Sequence, residues 1–198
     1  MLDKIKSLFS KKSVSIYQTE FNSAVKLTNK LCLGNYKYFK NSNFSYFDDQ
    51  ENVLNLIRFL KSEGWDIRNL KLDRECLTIH YNIKQYIDEF YKIDSILTIG
   101  YIESSHDKQF YESIEQRLSN LENPINSAEN HLIHAWLTLP NLEILDFTYF
   151  TTEAVKTNNP ERYGHVFAKH GDDDLLHRYK PQLVGVEYLI KAGYVKNQ

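Results

Sequence analysis

The chain has 198 residues, 42% of them hydrophobic and 25% charged, enough for one domain with its own core. Its formal net charge of -2 excludes a nucleic-acid binder that relies on bulk positive charge, and no segment approaches the roughly 18 apolar residues of a membrane span. Two cysteines, Cys32 and Cys76, cannot build a disulfide framework, so a reducing, cytoplasmic setting is expected.

Near the N-terminus Leu2, Ile5, Leu8 and Phe9 fall at helical spacing among lysines. They lack the continuous apolar run of a secretion signal, and a short helix docked on the domain is expected. Residues 15–32 are predicted to be helical, with Phe21, Ala24, Val25, Leu27 and Leu31 along one side. Gly34-Asn35 ends that helix. Tyr36, Tyr38, Phe39, Phe44, Tyr46 and Phe47 then form an aromatic cluster among Asn and Ser. With no basic stripe beside it, irregular or short-strand packing is expected rather than a base-stacking platform. Asp48 or Asp49 is placed to cap a helix whose stripe is Val53, Leu54, Ile57 and Leu60, with Gly64 at its end. Trp65, Ile67, Leu70 and Leu72 read as an extended connection. No Pro/Gly-rich linker and no repeat divides the chain, so residues 1–198 are expected to be a single domain, with 1–65 mainly helical.

Cys76 admits two readings. Ile79, Ile83, Tyr86, Ile87, Phe90 and Tyr91 follow the spacing of a buried helix face. That sets Cys76 near a helix N-terminus, behind Asp73 and Glu75, where unpaired N–H groups and the helix dipole favour a thiolate. Leu77, Ile79, Tyr81 and Ile83 also alternate as a strand would, which makes Cys76 an inert core residue. Residues 95–102 are a strand candidate. Asp107 is placed to cap a helix carrying Phe110, Ile114, Leu118 and Leu121 on one face and ending near Pro124.

From His131 to Thr148 apolar residues alternate on both sides of Pro140-Asn141, the pattern of a β-hairpin. Ile133, Ala135, Leu137 and Leu139 share one face of the first strand, and His134, Trp136 and Thr138 the other. Whether His134 meets Asp146 depends on register. If Leu139 pairs with Leu142 around a two-residue loop, the two side chains project from opposite faces. A loop of three or five residues puts them on one face, within hydrogen-bonding reach. Asn141 tolerates the left-handed conformation that a three-residue loop needs, so the odd loop is predicted.

Residues 151–162 read as surface loop. His165, His170 and His177 with Asp172, Asp173 and Asp174 supply zinc- or iron-type ligands. Their spacing matches no ligand motif, and an acidic run is ordinarily a solvated loop; no metal and no other cofactor is expected. Pro181 is placed to open a C-terminal helix through Leu183, Val184, Val186, Leu189 and Ile190, with Gly193 ending it.

His134-Ala135-Trp136, a short turn and an apolar strand ending Asp146-Phe147-Thr148 resemble the His/Asp half of the transglutaminase-like cysteine enzymes, relatives of the papain fold. The order Cys76, Gly100-Tyr101, His134, Asp146 is also similar to that family's. The resemblance implies a transglutaminase-like core over residues 66–198. It implies Cys76 as nucleophile, His134 as proton shuttle, Asp146 as the group that holds the imidazole's tautomer, and Trp136 as a substrate-site wall. The implied chemistry is acyl transfer or hydrolysis at an amide, ester or thioester (peptidase, deamidase or transglutaminase-like), on a protein or peptide substrate. The Cys76 backbone N–H would serve the oxyanion, with Asn69 as a candidate side-chain donor. Leu77-Thr78-Ile79-His80 departs from the small or amide residues that the family carries after its nucleophile. The alternative is a catalytically inactive member of that fold, or an unrelated α+β protein-binding module. The expected architecture is α+β: N-terminal helices on a small antiparallel sheet made of residues 95–102 and the hairpin, closed by a C-terminal helix.

Overall fold

A computed structural model describes residues 15–195 except 41, 43, 106, 126–131 and 175. The expected helix near residues 2–9, and His131 at the head of the hairpin motif, lie outside the described residues. The chain is α+β. Helix α1 (Ile16–Lys30) starts where Ser15 Oγ accepts the Gln18 N–H at 2.9 Å, and α2 (Gln50–Ser62) where Asp49 accepts the Asn52 N–H. Helix α3 spans Cys76–Tyr91. Helical spacing prevails there because it buries Ile79, Ile83 and Ile87 on one side. A strand would have drawn Tyr81, which is exposed, onto the same face as Ile79.

Among the described residues six antiparallel strands follow: β1 (Ile96–Glu103), β2 (Lys108–Gln109), β3 (His134–Thr138), β4 (Glu143–Asp146), β5 (Phe167–His170) and β6 (Arg178–Val184). Their order is β6-β1-β3-β4-β5. β2 pairs only with Ile102 and Glu103 of β1, beyond the end of β3. β5 and β6 stand at opposite ends of this order, yet the Phe167 and Tyr179 rings are 4.7 Å apart. The sheet is therefore curled into a half-barrel. Inside the curl, Tyr17, Phe21 and Val25 of α1 pack with Trp136, Ile144, Phe167, Tyr179 and Val184. On the other face Leu97, Ile99, Ala135, Leu137, Leu145 and Phe147 meet Leu56 and Leu60 of α2 and Ile79, Ile83 and Ile87 of α3. The two faces of β3 divide as its alternation demands.

Three expected elements differ. Residues 107–110 form β2 and a turn, and helix α4 begins only at Ile114–Glu122, where Ser113 Oγ accepts the Gln116 N–H. Phe110, at φ +61°, cannot continue a helix. Residues 149–157 form helix α5 (Tyr149–Thr157), followed by a 3-10 turn over Pro160–Arg162, where a surface loop was expected. Pro181 lies within β6 instead of opening a helix, and only the short α6 (Glu187–Lys191) remains of the expected C-terminal helix. Pro181 is tolerated because the β1–β6 register shifts between Ile99 and Gly100, a bulge that places it opposite Gly100.

Gly100 explains that bulge. A Cβ there would lie 2.0 Å from the Lys180 carbonyl oxygen and 2.8 Å from Trp136 Cη2, so the two strands cross at a distance only glycine allows. Gly100→Ala is expected to destabilise the chain by about 2–3 kcal/mol, measured as a lower urea midpoint. Among the described residues, no helix is long and apolar enough to cross a membrane.

Candidate functional site

The turn of the β3–β4 hairpin sets the site. Leu139 donates its N–H to the Glu143 carbonyl at 2.8 Å, and Leu137 and Thr138 pair with Leu145 and Ile144. The loop therefore holds three residues, Pro140 to Leu142, as the odd-loop expectation required. The left-handed position is Leu142, at φ +71°, and not Asn141. Such a loop runs a tight turn before its left-handed residue, so the last position takes the strain. Asn141 instead uses its side chain, accepting the Glu143 N–H and donating to the Glu143 carboxylate. Continuing the register puts Asp146 across from Trp136 and diagonal to His134. The His134 Nε2–H donates to Asp146 Oδ2 at 2.6 Å.

Asp146 is held from several directions. Oδ2 also accepts the Tyr179 hydroxyl at 2.9 Å, from β6. Oδ1 accepts the Thr148 N–H (2.8 Å), the Thr148 hydroxyl (3.0 Å) and the Tyr149 N–H (3.1 Å). Those last bonds make an Asx-type turn that starts α5, so the Asp-x-Thr sequence both fixes the carboxylate and redirects the chain. Burial raises the carboxyl's pKa, but the charge and hydrogen bond of His134, with the Thr148 N–H, hold it well below the usual range. Burial likewise disfavours protonated His134, yet Asp146 and the neighbouring Cys76 outweigh it and push the imidazole up to about 10. Both shifts favour an imidazolium beside a carboxylate, in side chains 2% and 0% exposed.

Cys76 is the first residue of α3, so its N–H has no intrahelical acceptor and stands at the positive end of the helix dipole. It is 7% exposed. Its thiol donates to the Ile133 carbonyl oxygen at 3.7 Å, one residue before His134, and its proximity helps to raise the pKa of the His134 imidazole. His134 and Asp146 are bonded to each other, and Cys76 lies beside the first of them at the junction of α3, β3 and β4.

Trp136 lies on the same face of β3, its ring 5.8 Å from that of His134. It is fully buried, with its indole N–H donated to Tyr17 Oη at 2.8 Å, so it backs the imidazole from inside the curl. Asn69 is exposed and donates its amide to Asp66. In the acidic segment, Asp172 accepts the Tyr17 N–H at the start of α1, and Asp174 accepts from the Leu176 and His177 N–H groups. Among the described residues no group of His, Cys, Asp and Glu is arranged to hold a metal ion.

Three neighbours escaped the sequence reading. Phe110 stacks on the His134 ring, 4.8 Å away at 17°, from a short segment taken for helix. Tyr179 was hidden by the misplaced C-terminal helix. His80 is fully buried one helical turn after Cys76; its Nδ1–H donates to the Cys76 carbonyl at 2.8 Å, and its Nε2 accepts the Phe147 N–H at 3.0 Å. Its spacing four residues from Cys76 was the available signal.

The two buried histidines impose opposite pH dependences. Unfolded imidazole titrates near 6.5. Folded His134 keeps its proton to higher pH, so its contribution is complete below about 6.5 and is lost as pH rises toward 10. Folded His80, pushed down to about 4 mainly by burial, contributes fully above about 6.5 and loses that as pH falls toward 4. Unfolding free energy is expected to peak near pH 6.5 and to fall on both sides in denaturant titrations. Asp146→Asn is expected to flatten the alkaline limb.

Comparison of the chain with protein-family models, with curated proteins and with solved structures gives no match.

Proposed function

We propose that residues 66–198 form a transglutaminase-like, papain-related core and that the chain performs cysteine-dependent acyl transfer or hydrolysis at an amide, ester or thioester. One observation carries the reading: a thiol at the first residue of a helix lies against an imidazole whose Nε2 is bonded to a buried carboxylate. Cys76, as a thiolate beside protonated His134, attacks the carbonyl carbon, forming an S–C bond while the carbonyl electron pair moves onto oxygen. The Cys76 N–H, at the helix terminus, helps to hold that oxyanion. His134 gives its proton to the departing amine, alcohol or thiol as the tetrahedral adduct collapses to a thioester. Water or an incoming amine then attacks the thioester, His134 takes its proton, and the Cys76 sulfur departs as a thiolate beside the imidazolium. Asp146 stays ionised throughout and holds the ring. A protein or peptide substrate suits these reactions.

A second reading is favoured by the near-complete burial of Cys76 and of His134, whose ring Phe110 covers: a catalytically inactive domain that binds another protein. The two readings separate on incubation with p-nitrophenyl acetate and with peptide thioesters. The first expects a stoichiometric burst and an acyl adduct located on Cys76 by mass spectrometry. No adduct on Cys76 with either reagent favours the second.

A further inference from the structure

His80 carries no role in the chemistry above, yet it touches both halves of the site. A backbone N–H can only donate and a backbone carbonyl can only accept. The Phe147 N–H therefore requires a lone pair on His80 Nε2, and the Cys76 carbonyl requires the proton on Nδ1. Those two bonds fix one neutral tautomer. Nε2 also lies 3.5 Å from Asp146 Oδ1, a distance at which a protonated ring would form an ion pair; the Phe147 N–H occupies the place such a proton would need. The groups that face His80 are Asp146 of β4, His134 of β3 and Cys76 on its own helix.

We infer that His80 is a positioning residue: an uncharged imidazole that ties the Cys76 turn of α3 to the Asp146–Phe147 end of β4 and leaves the Asp146 charge to His134 alone. The tie joins segments far apart along the chain, Cys76 at the head of α3 and Phe147 just after β4. Were His80 charged, Asp146 would be shared between two cations, and the His134 proton would be held less firmly. A neutral ring with both nitrogens engaged gives rigidity without that competition. The consequence for reactivity rests on the acyl-transfer reading; the tautomer and the tie do not.

The test uses the full chain with 15N-labelled histidine. In the wild type, the His80 ring is expected to show a protonated Nδ1 and a bare Nε2, unchanged from about pH 5 to 8. Iodoacetamide alkylation of Cys76 near neutral pH gives the second readout. His80→Leu, which removes both bonds, is expected to slow it about tenfold, on the scale seen when supporting hydrogen-bond partners are removed elsewhere. His80→Asn, which retains a donor for the Cys76 carbonyl, is expected to recover most of that loss. A His80 ring that titrates in this range, a protonated Nε2, or a His80→Leu chain alkylated like the wild type would overturn the inference. Should His80→Leu fail to fold, the wild-type tautomer decides. If both readouts behave as expected while no substrate is ever acylated, the enzymatic reading fails and the positioning role stands.

Discussion

Cys76→Ala is expected to abolish acyl transfer, lowering kcat/KM by at least about 10³–10⁴-fold, with the fold left in place. The thiol is the only group in the cluster able to form the covalent intermediate. His134 and Asp146 alone can polarise water but cannot divide the reaction into two easier steps. Structurally the sulfur contributes little: one long contact to the Ile133 carbonyl and its interaction with the His134 ring. Trimming a single heavy atom at this helix terminus should cost no more than about 1 kcal/mol, the scale of deleting one buried methyl group. Steady-state kinetics together with the urea midpoint separate the two effects. A Cys76→Ala chain that keeps its activity, or one that loses activity only because it unfolds, contradicts the assignment of Cys76 as nucleophile.

Asp146 is expected to show the opposite balance, with both stability and activity lost. Asp146→Ala strands the His134 imidazolium in a fully buried site and removes the acceptor for Tyr179, for the Thr148 N–H and hydroxyl and for the Tyr149 N–H. Removing one partner of a buried ion pair costs about 3–5 kcal/mol, and the α5 start is lost besides. Asp146→Asn keeps an oxygen for the Thr148 turn but turns an N–H donor toward His134. The ring must then accept at Nε2 and carry its proton on Nδ1, the wrong tautomer, with an expected activity loss of about 10⁴-fold. Denaturant titration should find Asp146→Asn closer to the wild type than Asp146→Ala, and kinetics should find both inactive.

The hairpin was legible because its two strands alternate and because register follows from loop length, so the loop length alone decides whether His134 and Asp146 share a face. The Cys76 helix was legible for a related reason: Ile79, Ile83 and Ile87 repeat at helical spacing, even though Leu77 and Tyr81 imitate a strand. The rest was written in weaker terms. β2 is two residues long, too short to carry a period. β5, Phe167-Ala168-Lys169-His170, buries only Phe167 fully and so has no apolar alternation to read. Tyr149, Phe150, Thr151 and Thr152 are poor helix formers, and α5 starts from the turn that the Asp146 carboxylate makes with the Thr148 and Tyr149 N–H groups, a side-chain effect that helix propensity does not record. In β6 the run Pro181-Gln182-Leu183-Val184 fits a helix start as well as a strand; the bulge opposite Gly100 decides, and nothing local announces it. Tyr179 was lost with that strand, and His80 was noticed only as a departure from an expected pattern.

The most direct measurement is the relative rate at which iodoacetamide modifies the two cysteines near neutral pH, read by peptide mass spectrometry in the wild type and in His134→Gln. Cys32 is exposed and Cys76 is buried, so access alone favours Cys32. If the thiol, imidazole and carboxylate act together, Cys76 is modified faster than Cys32 in the wild type, and the order reverses in His134→Gln. Faster modification of Cys32 in both chains would contradict the convergence of these three groups into one reactive site.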